Sequence, residues 1–488
     1  MSKEPKVLFL SSEVVPFAKT GGLADVAGAL PGALRELGAQ VMVALPLYRS
    51  VRQGGFSLSP VLNRMEVPLG KARLGAAVWE TRSEGGTPVY FLEREDLYDR
   101  PNLYGTPAGD YYDNLERFSF FCHGVLLMAE ALGFRPDVIH CNDWQTGLVP
   151  ALLAGPYKHS PVLGGVPSVF TIHNLGYQGI FPPDKLWVTG LSGPEFFHPE
   201  GVEFWGNMSL LKAGIVYSRA ITTVSPTYAR EIQTPEFGLG MEGILYHRRD
   251  VLRGILNGVD YSLWDPATDP HIPANYFPGK MKGKTTCKKE LIKETGLDPR
   301  LSQRPLLGMT TRLAAQKGLD LLTAVLQEVL NLDVGLVILG TGEEHYQSTL
   351  QEAARANPSR LAVKIGFDEA LAHRIMAGVD IFLIPSRYEP CGLTQMYAFK
   401  YGTVPLVRAT GGLEDTVKPF EPSTGQGNGF KFGPHEPGAF LDCVRQAVSL
   451  YEKQGIWKTL VLNGLKEDFS WNRSARQYLE LYQWVCGG

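Results

Sequence analysis

Short, almost uninterrupted apolar runs recur along this chain with amphipathic segments between them, and that alternation constrains the fold more than any other feature. Residues 6–14 (KVLFLSSEV), 40–47 (QVMVALPL), 137–142 (DVIHCN), 167–173 (PSVFTIH) and 220–225 (AITTVS) read as strands, with helical patterns at 115–132 and 207–218. A strand that is apolar on both faces must be covered on both, which is the signature of a buried, mostly parallel sheet. The stretch AAVWETRSEGGTPVYFLE places Gly-Gly between two alternating runs and predicts a hairpin added to that sheet. The pattern begins again after Arg304. Strands are predicted at 306–311, 335–340, 361–366, 380–385 and 404–409, and helices at 318–332, 343–356, 369–378 and 393–401. The fold class is therefore α/β, with two Rossmann-like doubly wound domains whose strand carboxyl ends are where ligands bind.

The expected boundaries are 1–257 for the first domain and 304–472 for the second. Residues 258–303, rich in Pro, Gly, Lys and Asp, are expected to form a linker and entry segment. The end of the chain, 473–488, holds the amphipathic run RSARQYLELYQWV and is expected to be a helix. With 488 residues there is room for two to four domains of ~100–200 residues. A net charge of -3 argues against a general nucleic-acid binder. The six cysteines show no C-x-x-C pair and no zinc spacing, so no metal site is expected and a reducing compartment is. Met1 leads almost directly into a strand and no apolar run reaches ~20 residues, so neither a targeting peptide nor a membrane span is expected and the chain reads as cytoplasmic.

Several segments place chemistry-bearing side chains at strand ends. In KTGGLADVAGAL, Gly21 and Gly22 precede a helix, where backbone N–H groups receive an anion, with Lys19 as an added charge; the competing reading is a tight loop with a solvated lysine. In TTRLAAQKG, Arg312 and Lys317 follow the first strand of the second domain, either as a diphosphate clamp or as solvated cations. In SRYEPCGLTQMYAFKYG, Glu389 follows a strand and either accepts sugar hydroxyls or complements a helix dipole. Gly392, Leu393 and Thr394 open the next helix, and Cys391 reads as a packing residue. His173 ends a strand, and Asp143 in HCNDWQTG is a candidate site residue or a helix cap. A second Thr-Gly-Gly-Leu turn, at 410–413, has only a loop role from sequence. No D-x-D, H-E-x-x-H or G-x-S-x-G pattern is present, so a phosphate leaving group would be neutralised by Lys, Arg and helix ends.

Taken together, KTGGLADVAGALP, HCNDWQTGL, TIHNLGYQG, TTVSPTYAREI, GILNGVD, TTRLAAQKG and PSRYEPCGLTQMYAFKYGTVPLVRATGGLEDTV closely resemble the bacterial glycogen synthases and the related plant starch synthases over essentially the whole chain. The resemblance implies a GT-B fold with a deep cleft between two Rossmann-like domains and a final helix crossing back to the first. It implies retaining transfer of glucose from ADP-glucose to the non-reducing 4-hydroxyl of an α-1,4-glucan, with no cofactor. It assigns Lys317, Arg312, His173 and Glu389 to catalysis. Lys19, Gly21, Gly22, Asp25, Glu13, Asp143, Asn257, Cys391, Gly392, Leu393 and Thr394 are assigned to substrate binding. The wider retaining group often carries a second glutamate eight positions after the first, where this chain has Tyr397. Three other readings compete. A pyridoxal-phosphate glucan phosphorylase has no matching motif, and a glucan-binding protein with a dead site is opposed by the intact Lys19, Arg312, Lys317 and Glu389. A nicotinamide-dependent dehydrogenase lacks its dinucleotide fingerprint.

Overall fold

The structure, a computed structural model, describes residues 4–106 and 108–487. The chain divides into two compact units, Met1–Gly258 with Trp471–Gly488, and Val259–Ser470.

The first unit is built on a nine-stranded sheet. Its strands are β1 (Lys6–Leu10), β2 (Gln40–Pro46), β3 (Ser59–Leu69), β4 (Ala72–Arg82), β5 (Pro88–Glu93), β6 (Val138–Asn142), β7 (Ser168–Ile172), β8 (Ala220–Thr223) and β9 (Leu252–Gly254). They lie in the order β9-β8-β7-β6-β1-β2-β5-β4-β3. Pairing is parallel from β9 through β5, and β4 and β3 join antiparallel. The Gly-Gly turn indeed joins β4 to β5. Strands β6, β7 and β8 are buried along their whole length, as their apolar runs require.

Helix α1 (Gly22–Glu36) follows β1, and α2 (Asn114–Ala131) precedes β6. The helix expected over 207–218 is shorter: α3 is Leu210–Tyr217, because Ser209 caps it by accepting the N–H of Lys212 and residues Asn207–Ser209 pair as a strand.

The second unit has six parallel strands, β10 (Leu306–Thr310), β11 (Gly335–Gly340), β12 (Leu361–Ile365), β13 (Ile381–Ile384), β14 (Val404–Arg408) and β15 (Phe430–Phe432). Their order, β12-β11-β10-β13-β14-β15, is that of a Rossmann sheet. The helix expected over 318–332 is broken at the β-branched Val325, which leaves helical geometry at φ -124°.

Residues 258–303 are not a linker. From Val259 onward they belong to the second unit. Their helix α4 (Lys282–Thr295) presents Leu291 and Ile292 to the interior. Tyr276 is fully buried and donates to the carbonyl of Tyr401 at 3.0 Å. Buried Asp269 accepts from His373 Nδ1 at 2.7 Å and from Tyr401 at 2.5 Å. Trp264 stacks on His373 and on Tyr397, ring centroids 3.7 and 4.3 Å apart. Pro and Gly content signals irregular backbone, and here aromatic anchors fix that backbone in place. Tyr397 is thereby committed to packing.

Helix α5 (Thr394–Lys400), helix α6 (Gly411–Thr416) and the final helix α7 (Trp471–Gly487) complete the elements that bear on the site. Helix α7 belongs to the first unit, where its Tyr482 hydroxyl meets His140 Nδ1 at 2.7 Å.

Candidate active site

In the first unit the strand order reverses between β6 and β1, and in open α/β sheets the crevice outside that reversal receives ligands. The loops there carry Glu13, Lys19, Gly21 and Asp143. Glu13 is buried and its carboxylate is saturated. Oε2 accepts the N–H groups of Thr20 at 2.6 Å and Gly21 at 3.1 Å, and Oε1 accepts the hydroxyls of Thr20 at 2.6 Å and Tyr104 at 2.7 Å. Four donors use the carboxylate's acceptor capacity. Glu13 therefore shapes the turn leading into α1. No side chain caps α1, and a Cβ built on Gly21 or Gly22 meets nothing within 4 Å. No neighbouring atom requires glycine at either position, and the first-turn N–H groups stay approachable. Lys19 is exposed and pairs with Asp25 at 2.6 Å.

His173 at the end of β7 is buried, and its environment fixes its state. Asn142 donates through Nδ2 to the Leu10 carbonyl at 2.9 Å, so its Oδ1 must be the atom that meets His173 Nε2 at 2.8 Å. Nε2 thus carries the hydrogen and Nδ1 is an acceptor. Burial lowers the imidazole to about 3, so it is neutral at physiological pH. Asp143 does not cap a helix. It lies in the left-handed region at φ 55°, and its Oδ1 accepts the N–H of His173 at 2.7 Å. Burial raises its carboxyl to about 7 against the opposing backbone hydrogen bonds. Asn257 is also buried, with Oδ1 lacking a hydrogen-bond partner.

In the second unit the reversal falls between β10 and β13. Lys317 Nζ meets Glu389 Oε2 at 2.6 Å, with side chains 19% and 12% exposed, and Ser386 donates to the same oxygen at 2.9 Å. Lys317 is held there by its turn. Gly318 has φ +75°, and a Cβ on it would lie 2.1 Å from the Pro385 carbonyl oxygen, so the turn rests directly on the end of β13. Arg387 N–H donates to the Gln316 carbonyl at 2.8 Å and ties the two loops together. Arg312 is exposed and donates to Gln316 Oε1 at 3.0 Å, apart from the Lys317–Glu389 pair. Cys391 is buried, so its segment offers backbone, and Gly392 takes φ +70° just before Leu393 and Thr394 open α5.

The second Thr-Gly-Gly turn differs from the first in what surrounds its glycines. A Cβ on Gly411 would sit 1.9 Å from the Glu389 carbonyl oxygen, and one on Gly412 would sit 2.1 Å from that of Cys391. These glycines seat the loop that carries Glu389. Sequence reading passed over Ser386, three residues before Glu389, and Tyr104, whose partner is 91 positions away.

Two Rossmann-like units, one mostly parallel and one fully parallel, each with polar groups at its strand reversal, are the architecture that GT-B glycosyltransferases share. Residues 6–247 match the family model of the starch synthase catalytic domain, and residues 298–459 match glycosyl transferases group 1. A glycogen synthase of Anaeromyxobacter dehalogenans (strain 2CP-C) is 48% identical over 98% of this chain and 99% of its own length. One from Syntrophotalea carbinolica is 47% identical over 98% of each. The catalytic domain of Starch Synthase IV from Arabidopsis thaliana, bound to ADP and acarbose, superposes with a TM-score of 0.92 at 34% identity over all of both chains. The chain belongs to the glycogen synthase family. A sucrose-phosphate synthase from Thermosynechococcus elongatus, 16% identical with a TM-score of 0.59 over 99% of each chain, shares the fold. No helix among the described residues is long and apolar enough to cross a membrane.

Proposed function

We propose that this enzyme transfers glucose from ADP-glucose to the non-reducing 4-hydroxyl of an α-1,4-glucan with retention of configuration. The observation that carries this reading is the Lys317–Glu389–Ser386 cluster at the strand reversal of the second unit. It offers a cation for a departing phosphate and, in Glu389 Oε1, an acceptor for a sugar hydroxyl. Arg312 adds a guanidinium fork for the diphosphate. The backbone from Cys391 through Gly392 and Leu393 to Thr394 meets the distal phosphate. Lys19, Gly21 and Gly22 form an anion-binding loop on the first unit, with Asp25 holding the Lys19 ammonium and Glu13 shaping the turn. Neutral His173 accepts a glucosyl hydroxyl at Nδ1, with Asp143 and Asn257 on the sugar side.

In the reaction, the bond from C1 of glucose to the phosphate oxygen breaks and the bond from C1 to the acceptor O4 forms on the same face. The acceptor proton passes to an oxygen of the leaving ADP, whose charge Lys317 and Arg312 neutralise. The ADP of the Arabidopsis structure supports the nucleotide half of this donor. Six free cysteines and a nucleotide-sugar substrate support a cytoplasmic site of action.

The test is incorporation of labelled glucose into glycogen from ADP-glucose and, side by side, from UDP-glucose. ADP-glucose is expected to be the better donor. No incorporation from either would sink the proposal, and a glucosyl adduct trapped on a carboxylate would sink the same-face route.

A further inference from the structure

We infer that the first unit carries a phosphate-binding site at the amino ends of β6, β7 and β8, formed by Arg135 and Arg219 and suited to orthophosphate or to the phosphate group of a small phosphomonoester. The site is independent of the glucosyl-transfer reading. A cavity of about 490 Å³ opens there. It is lined by Arg135 and Asp137 ahead of β6, Gly165 ahead of β7, Arg219 ahead of β8, and Val485 and Cys486 at the end of α7. Asn142, Asp143 and His173 lie at the carboxyl ends of β6 and β7, so the cavity sits at the opposite edge of the sheet.

Both guanidiniums lack a partner. Other arginines of this unit, such as Arg49, Arg100 and Arg248, are tied to carboxylates or carbonyls. Among the described residues nothing accepts a hydrogen bond from the side chain of Arg135 or Arg219. Asp137, the carboxylate on the wall, pairs with neither. Its Oδ2 accepts the N–H of Lys6 at 2.8 Å, and its carbonyl accepts the Cys486 thiol at 3.3 Å. The backbone beneath the two arginines is fixed. The N–H of Asp137 donates to the Lys6 carbonyl at 2.8 Å, and that of Arg219 to the Ser168 carbonyl at 2.9 Å. Two cations held on one cavity without a counterion repel each other, and an anion between them turns that repulsion into charge-assisted hydrogen bonds.

The rest of the wall decides which anion fits. The planar forks of two arginines match the oxygens of a phosphate. Gly165 adds a third donor. The N–H groups of Gly164 and Val166 are spent on the carbonyls of Ser160 and Leu163, and that of Gly165 has no backbone partner among the described residues. Gly165 has φ +76°, and a Cβ on it would meet nothing within 4 Å, so its backbone is open to a ligand. No aromatic ring is among the lining residues, so a nucleobase has nothing to stack on. At about 490 Å³ the cavity has room for a small organic remainder beside the phosphate, and Val485 gives that remainder an apolar contact.

Cys486 reports on the site, because it lines the cavity and is exposed while the other five cysteines are buried. Its alkylation by iodoacetamide, a neutral reagent, is followed by peptide mass spectrometry with orthophosphate, with glycerol 3-phosphate, and with chloride at equal ionic strength. At least one of the two phosphates is expected to slow the reaction several-fold and saturably, and the one that acts at lower concentration is the better ligand. Chloride is expected to leave the rate unchanged. Arg135→Gln and Arg219→Gln should each lose the protection and melt as the parent does, since neither side chain bonds to the fold. Arg312→Gln should keep the protection, which separates this site from the diphosphate clamp of the second unit. A rate that neither phosphate changes, protection that chloride reproduces, protection that survives both substitutions in the first unit, or protection lost with Arg312 would overturn the site. So would a lower melting temperature of the Arg135 and Arg219 variants, which would make the two arginines structural.

Discussion

The same substitution in the two Thr-Gly-Gly turns is expected to act with opposite sign. At Gly22 an added Cβ meets no atom within 4 Å, and the residue opens a helix of 15 residues. Alanine there reduces the freedom of the unfolded chain and suits the helix, a gain of about 0.4–1 kcal/mol. For a unit of this size that raises Tm by about 1–3 °C. At Gly412 the Cβ would lie 2.1 Å from the Cys391 carbonyl oxygen and 2.6 Å from its carbonyl carbon and Cα. The Cys391 backbone cannot yield as a flexible side chain would, so Gly412→Ala is expected to cost about 1–3 kcal/mol or more by overpacking. It also displaces the loop that sets Glu389 against Lys317. Function follows a different rule, since Gly22→Ala fills the space before the α1 N-terminus that the proposal gives to the donor. Its KM for ADP-glucose is expected to rise, by at least about tenfold if 1.4 kcal/mol of binding is lost. Differential scanning calorimetry and donor-saturation kinetics on both variants check this. A Gly22→Ala enzyme with parental KM, or a Gly412→Ala enzyme with parental Tm, would refute the reasoning for that turn.

Lys317→Ala leaves Glu389 with Ser386 alone. It is expected to lower kcat about 10²–10³-fold and to cost about 1–3 kcal/mol of stability, read by initial rates and urea unfolding; near-parental turnover would remove Lys317 from the leaving-group role. Burial raises Asp143 from 3.8 to about 7, so the native state retains a proton that the unfolded chain has lost. The stability this supplies is complete below the unfolded value and is lost as pH rises through the folded one. Asp143→Asn should therefore gain on the parent at about pH 8, by at most about 4 kcal/mol, and gain nothing near pH 4; a urea-midpoint difference that ignores pH would contradict this. Removing residues 473–488 takes Ala475, Tyr478, Leu481, Tyr482 and Val485 out of the first core. The loss, more than about 5 kcal/mol of burial, should abolish cooperative unfolding of the first unit by circular dichroism; an intact transition would show α7 to be dispensable.

The legible parts of this protein were those with a local cause. Strand runs such as KVLFLSSEV and GLVILG announce themselves because a strand buried on both faces has to be apolar along its length. Irregular stretches were harder. The Pro- and Gly-rich residues 258–303 looked like a linker because composition reports backbone regularity, whereas Trp264, Tyr276 and Asp269 find their partners 100 and more positions away. Asp143 looked like a helix cap because the capping pattern is local. Its actual partner, the N–H of His173, is brought to it by the pairing of β6 with β7.

The sequence by itself determined the two α/β halves, the absence of the familiar metal and nucleophile motifs, and the residue types that a phosphate and a sugar require. Tertiary structure alone decided which of those residues are free to act. Lys317 and Glu389 stand 72 positions apart and meet at 2.6 Å because β10 and β13 are neighbours. Glu13, which resembles a ligand residue in sequence, is consumed by four donors from its own fold. The two Thr-Gly-Gly turns, nearly the same in sequence, part company for the same reason. Strand order leaves open space before one pair of glycines and lays a backbone across the other, and strand order is a property of contacts distant in sequence, which no local pattern encodes.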